Sequence, residues 1–244
     1  MVLYSDLPVG WFPKLDLRRV HFPKLRSLTL GHHIFHNEHQ IDWITSHDKL
    51  QELYLDRCAI LYQAGYSIAN WLDKEGYPKE PYMHSLAPLY REEYEEFSKN
   101  LYFASTSNRW SSAFSQFARM KDLRTFRFGS SSQWVIATES RHSWRGFQYG
   151  GHPVMPWEDE KNIENLILEE RYVIWDDWNQ EYQPHWKKRF PTYYPERCSD
   201  GYSTRGIYWT EEWMSQFQPY PDCKEEDQAA LDALLGKIGM KRAF

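Results

Sequence analysis

The sequence predicts an α/β fold: a solenoid of few, irregular repeats with inserted helices and a C-terminal capping helix. Three observations predict it. An L-x-x-L-x-L pattern occurs as Leu25, Leu28, Leu30 and again as Leu50, Leu53, Leu55, offset by 25 residues. The second copy runs on to Cys58 and Ile60, completing the leucine-rich-repeat signature with Ile for its last Leu, at an offset inside the usual range of about 20–29 residues. Between the copies, and again at the C-terminus, apolar residues recur at helical spacing. The fold class is therefore an irregular leucine-rich-repeat solenoid. In such a fold each pattern is a short strand whose alternate residues point inward, followed by a turn and a helical return.

Taken in chain order, WFPKLDL reads as the remnant of a preceding repeat. Leu25 to Leu30 form the first strand. Asn37 and Gln40 stand three apart as a capping-box pair ahead of Ile41, Trp43 and Ile44, which predicts one short return helix. Leu50 to Leu55 form the second strand. The third, Leu123, Phe126 and Phe128, follows 73 residues after Leu50, a gap too long for one ordinary repeat. Two helices are expected inside the gap. One carries Tyr90, Tyr94, Phe97 and Leu101; the other carries Trp110, Phe114 and Phe117 after a cap at Ser107 or Asn108. Ile163, Leu166 and Leu168 suggest a fourth strand. From 130 to 220 Gly, Pro, Trp and Tyr mix without long period, which reads as short strands and turns. Asp222 and Glu225 form a capping pair before Ala229, Ala230, Leu231, Leu234, Leu235 and Ile238, an amphipathic helix expected to cap the end of the solenoid. The expected organisation is a repeat region at 1–129, an aromatic-rich irregular continuation at 130–221 and the helix at 222–244.

Composition narrows the classes of function. The 244 residues are 41% hydrophobic, 26% charged and 17% aromatic, with 12 Trp and 17 Tyr, so a large, aromatic core is expected rather than disorder. The formal charge of −5 and the absence of a basic run longer than Trp186-Lys187-Lys188-Arg189 argue against nucleic acid. No apolar run reaches about 18 residues, and MVLYSDLPVGWFPK lacks a basic start and an apolar core, so no membrane partner is expected and an intracellular site, cytoplasm or nucleus, is. Cys58, Cys198 and Cys223 form no C-x-x-C pair and are expected as reduced thiols.

Several stretches approach chemical motifs without completing them. His32, His33, His36 and His39 cluster between repeat strands without ligands at metalloprotease spacing, so exposed or turn-bonded histidines are expected and no metal. Gly65-Tyr66-Ser67-Ile68-Ala69 lacks the closing Gly of a nucleophile elbow. Gly236-Lys237 lacks the upstream Gly of a phosphate loop. Asp176-Asp177 and Glu158-Asp159-Glu160 are adjacent in sequence rather than set across a cleft. No catalytic residue and no cofactor is expected.

What remains is a surface. Residues between the inward leucines point out of the strand, which selects Ser27, Thr29, Glu52, Tyr54, Asp56, Thr125 and Arg127 as a concave protein-binding face. The many Trp residues, Trp110, Trp134, Trp144, Trp157, Trp175, Trp178, Trp186, Trp209 and Trp213, are expected to fill gaps that degenerate repeats leave.

The ordered set FPKLRSLTLG, QIDWITSH, LQELYLDRCAIL, NRWSSAF and LRTFRFG resembles the repeat region of the fungal F-box protein family, from about Phe12 to Gly129. The resemblance implies the substrate-recognition part of a ubiquitin-ligase receptor, in which an F-box docks on the ligase adaptor and the repeats hold a protein target. This chain departs from that plan: Leu7-Pro8 is followed by Val9-Gly10, and no three-helix F-box precedes the repeats. A ligase adaptor is thus a partner only through an F-box outside these residues. The expected function is a protein-binding scaffold. The alternative is an enzyme or carbohydrate-binding protein that uses the Trp- and Tyr-rich stretch 130–220.

Overall fold

The structure, a computed structural model, describes residues 1–4, 8–66, 71–79, 102–129, 163, 165–168, 171–176, 181–184 and 217–240. They belong to two compact units. One comprises Met1–Ile60, Asn108–Arg171 and Asp222–Phe244; the other comprises Leu61–Ser107 and Tyr172–Pro221. The C-terminal helix belongs to the same unit as the leucine-patterned strands.

The first unit holds a parallel sheet in the order β1 (Val2–Leu3), β2 (Ser27–Gly31), β4 (Glu52–Asp56), β7 (Thr125–Gly129). Its register follows from the leucine pattern. Leu28 pairs with Leu53 and Leu53 with Phe126; Leu30 pairs with Leu55 and Leu55 with Phe128. All six are buried, and so are Leu25, Leu50 and Leu123 just before each strand. Because side chains alternate, one residue of slip would turn every one of these out of the core, so apolar burial fixes the register. The fold is therefore mixed α/β with parallel sheet.

The turn after each strand repeats as well. His32 (φ 55°) and Arg57 (φ 49°) follow β2 and β4 in left-handed conformation, 25 residues apart like the strands, at a cost of about 1–2 kcal/mol for a side chain with Cβ. Their N–H groups donate across the sheet, His32 to Asp56 O at 2.9 Å and Arg57 to Gly129 O at 2.7 Å. Beyond the turns, β3 (Ile34–Phe35) pairs parallel with the start of β5 (Ala59–Tyr66), Ile34 with Ala59 and Phe35 with Ile60.

Helix α1 (Glu38–Thr45) stands where the capping pair places it and buries Ile41, Trp43 and Ile44. Gln40 Oε1 accepts the N–H of Asn37 at 3.1 Å and of His36 at 2.7 Å. Helix α2 (Trp110–Phe117) buries Trp110, Ala113, Phe114 and Phe117. Its cap is not Ser107 or Asn108. Arg109 holds the N-cap position and its side chain does not cap the helix, donating instead to Asn108 O at 2.7 Å, while Asn108 Nδ2 donates to His36 O at 2.6 Å. The free N–H of Ser111 is taken by Asp227 Oδ1 at 2.9 Å, from the C-terminal helix.

That helix, α3 (Lys224–Lys237), turns Asp227, Leu231, Leu234 and Leu235 inward. The expected Asp222–Glu225 pair does not cap it, since both are exposed and Cys223 is the N-cap. Ala229 is exposed, and Ala230 and Ile238 are half-buried. The fourth predicted strand is corrected too. Ile163 is buried, but Leu166 is exposed, and the described residues 163 and 165–168 form no strand. This stretch instead satisfies the open edge of β7: Asn165 Oδ1 accepts Phe128 N–H at 3.0 Å, and Leu166 N–H donates to Phe128 O at 3.0 Å. Met240 Sδ faces Phe126 N at 3.4 Å on the same edge. An edge closed in this way offers no template for a further strand.

In the second unit β5 pairs antiparallel with β6 (Tyr102–Ser105), and β8 (Tyr172–Asp176) pairs antiparallel with β9 (Glu181–Pro184). Its core is aromatic. Tyr220 meets both Tyr62 and Tyr172 edge-on, and Phe217 meets Phe103 edge-on at 5.2 Å. A Cβ on Gly65 would lie 2.8 Å from Phe217 Cζ, so this position in β5 has no room for a side chain.

Of the nine Trp residues expected in the core, Trp110 and Trp175 are buried; the other seven lie outside the described residues. So do the helix expected at Tyr90–Leu101, Ser67–Ala69, Cys198, and most of 130–220. No helix among the described residues is long and apolar enough to cross a membrane.

Candidate functional site

The in-register strands set the seven candidate surface residues in rows. Ser27, Glu52 and Thr125 share one row; Thr29, Tyr54 and Arg127 share the next; Gly31, Asp56 and Gly129 share the third. Neighbouring strands are spaced about 4.8 Å apart, so each row spans two such steps. The structure brings all seven residues together on one side of the sheet, with a gradient of exposure along the strands. Ser27, Glu52, Thr125 and Arg127 are partly exposed. Thr29 and Asp56 are wholly buried and Tyr54 is 4% exposed, which corrects the expectation that they face solvent.

Part of the cause is Tyr4. Its hydroxyl donates to Asp56 Oδ2 at 2.9 Å, and its ring lies so close over Gly31 that a Cβ there would stand 1.9 Å from Tyr4 Cδ1. Val2 and Leu3 pair with Thr29 and Leu30, which brings the chain to that point. Glycine at position 31 is thus a packing requirement. The sequence carried only a faint signal for this, a two-residue apolar start with a Tyr behind it.

The histidines are not arranged as expected either. His32 and His33 are 7% and 4% exposed, while His36 and His39 are half-buried. Gln40 explains the state of His33. The two backbone donors on its Oε1 fix the amide, so its Nε2 faces His33 Nε2 at 3.2 Å. That ring nitrogen must accept, which leaves the proton on Nδ1 and the imidazole neutral. Burial pushes the His33 pKa down to about 4, in the same direction. Among the described residues no three His, Cys, Asp or Glu side chains converge as metal ligands.

Two buried groups elsewhere are spoken for. Arg171 and Asp227, 1% and 0% exposed, form an ion pair at 2.8 Å. Asp227 also receives the Ser111 N–H and the Cys223 thiol, at 2.9 and 3.5 Å, and Trp110 Nε1 donates to Arg171 O at 2.8 Å. This network ties α2 to α3. The Cys58 thiol is pushed up by burial, and its sulfur lies 3.3 Å from Leu30 O. It is a packed core residue rather than a reactive thiolate.

An open groove of about 690 Å³ lies between α1 and α2, lined among others by Asp42, Thr45, Ser112, Ser115 and Arg119. It is polar, and Asp42 is its only carboxylate among those lining residues. Among the described lining residues there is thus no second carboxylate to pair with Asp42. No local sequence signal marks this groove, because its two walls come from helices about 70 residues apart.

No protein-family model, no curated protein and no solved structure matches the chain.

Proposed function

We propose that the chain is a protein-binding scaffold of leucine-rich-repeat type, whose sheet face serves target recognition as in the fungal F-box receptors it resembles. The observation that carries this reading is the repeated geometry: strand, left-handed turn and second strand recur at the same 25-residue offset in Ser27–Phe35 and Glu52–Ile60. Repetition of this kind places side chains in rows on a stiff surface, and rigid presentation lowers the ordering cost of binding a partner. The accessible part of that surface is the row Ser27, Glu52 and Thr125 together with Arg127. Glu52 and Arg127 sit on adjacent strands and suit a partner with mixed charge.

The test is quantitative affinity capture with the wild-type chain, with Ser27→Arg/Glu52→Arg/Thr125→Arg, and with Ser112→Arg/Ser115→Arg in the helix groove. The reading expects a reproducible partner lost with the first variant and retained with the second. Partners retained by the strand variant and lost with the groove variant would overturn it.

A further inference from the structure

The N-terminal ends of the strands carry a second repeated feature that the leucine pattern alone does not call for. Arg26, Gln51 and Arg124 occupy the same place, directly after the buried Leu25, Leu50 and Leu123. The backbone stacks them side by side. Arg26 O accepts the N–H groups of Gln51 and Glu52 at 2.8 and 2.9 Å, and Gln51 O accepts those of Arg124 and Thr125 at 2.8 and 3.0 Å. Arg26 and Arg124 are both exposed. Among the described residues neither guanidinium has a hydrogen-bond or ion-pair partner. Arg18 is different, being taken by Asp16 at 2.6 and 2.9 Å.

Exposed Lys24, Lys49 and Lys121 flank the two arginines. Among the described residues the carboxylates at this end are Asp48, which lies 3.8 Å from Lys49 Nζ, the half-buried Asp122, and Glu52 in the next row. On a chain of net charge −5, this is a local positive patch with acidic punctuation.

We propose that this end of the sheet docks an extended, carboxylate-rich segment of a partner protein, with Arg26 and Arg124 as its two anion-binding anchors. Charge complementarity selects an anionic occupant, and spacing selects its form. Two inter-strand steps put the anchors about 10 Å apart along the row, close to the roughly 9.3 Å between residues three apart in a polyproline-II segment. Such a segment also costs little ordering entropy. Asp48, Asp122 and Glu52 disfavour a continuous polyphosphate or a charged lipid surface, which would meet them as readily as the arginines. Discrete carboxylates can be placed between them. The proposal stands whether or not the neighbouring Ser27–Glu52–Thr125 row binds a target.

The experiment is fluorescence anisotropy on the full chain with a labelled peptide of four Glu-Pro-Pro repeats. Controls are the Gln-Pro-Pro peptide, single-stranded oligo-uridine, and vesicles of phosphatidylcholine with phosphatidylserine. At about 50 mM salt the Glu peptide is expected to bind, weakening several-fold as salt rises to about 200 mM. The Gln peptide is not expected to bind. Arg26→Glu/Arg124→Glu is expected to weaken the Glu peptide by at least about tenfold and to gain binding of the matching Lys-Pro-Pro peptide, which also reports that the variant is folded. Ser112→Arg/Ser115→Arg should leave the Glu peptide unaffected. Equal binding of the Gln peptide, or no binding of the Glu peptide at low salt, would overturn the proposal. So would oligo-uridine or vesicles binding more tightly through the same two arginines.

Discussion

At β2 and α1 the buried side chains are aliphatic for the most part, Leu28 and Leu30 on the strand and Ile41 and Ile44 on the helix. At β7 and α2 the same positions hold rings. Phe128 packs on Trp110 at 4.6 Å and on Phe114 at 5.1 Å, and Phe126 lies 5.8 Å from both Phe114 and Phe117. The backbone ladder hardly registers the exchange, because Leu53 pairs with Phe126 in the register by which Leu28 pairs with Leu53. Main-chain hydrogen bonds and an inward apolar residue are enough for the sheet. What differs is how each region is closed at its polar points. The aliphatic region uses a neutral histidine locked on Gln40, and the aromatic region uses a buried ion pair between Arg171 and Asp227. The two should therefore fail under different insults.

The largest effect is expected in the aromatic region. Asp227→Ala leaves Arg171 buried without its counter-ion and Ser111 N–H without an acceptor, and should cost about 3–5 kcal/mol in denaturant unfolding. Arg171→Met/Asp227→Leu, which removes both charges, should recover most of that loss. A single variant no worse than the double would break the contrast between the regions.

Acid should act on the aliphatic region instead. His33 has a folded pKa of about 4, below its ordinary 6.5, so its contribution is fully present above pH 6.5. It is lost as pH falls from 6.5 to about 4, because the unfolded chain takes up the proton first. The loss amounts to roughly 3 kcal/mol at most for a shift of this size. The residue 25 positions on is Cys58, whose thiol is pushed up by burial and does not titrate in that window. In urea unfolding across this range, His33→Gln should flatten the pH dependence while Cys58→Ala should not. An unchanged slope in the His33 variant would show that other groups set it.

How much of this was legible in the sequence depends on how local each cause is. β2, α1, β4, α2 and β7 were legible because Leu25–Leu30, Asn37–Ile44, Leu50–Leu55, Trp110–Phe117 and Leu123–Phe128 each carry their period within a few residues. β1 was not, since Val2 and Leu3 are too short to show a period and become a strand only by pairing with Thr29 and Leu30. The candidate face was half legible. Alternation assigned Thr29, Tyr54 and Asp56 to the correct side of the sheet, but it carries no information on what covers them, and Tyr4 reaches Asp56 from 52 residues away. The cap of α2 was invisible for the same reason, because Asp227 lies 116 residues from Ser111. Arg26 and Arg124 were visible as letters and gained meaning only when the ladder placed them in one row.

The register of β2, β4 and β7 is the premise of both proposed binding surfaces, and disulfide trapping tests it most directly. Adjacent strands bring Cα atoms within the usual disulfide range of about 4.4–6.8 Å, while a two-strand separation of about 10 Å lies beyond it. Under mild oxidation, with the products mapped by mass spectrometry, Ser27→Cys/Glu52→Cys and Glu52→Cys/Thr125→Cys should each cross-link. Ser27→Cys/Thr125→Cys should not. A cross-link in the last variant, or none in the first two, would contradict the strand order on which the account rests.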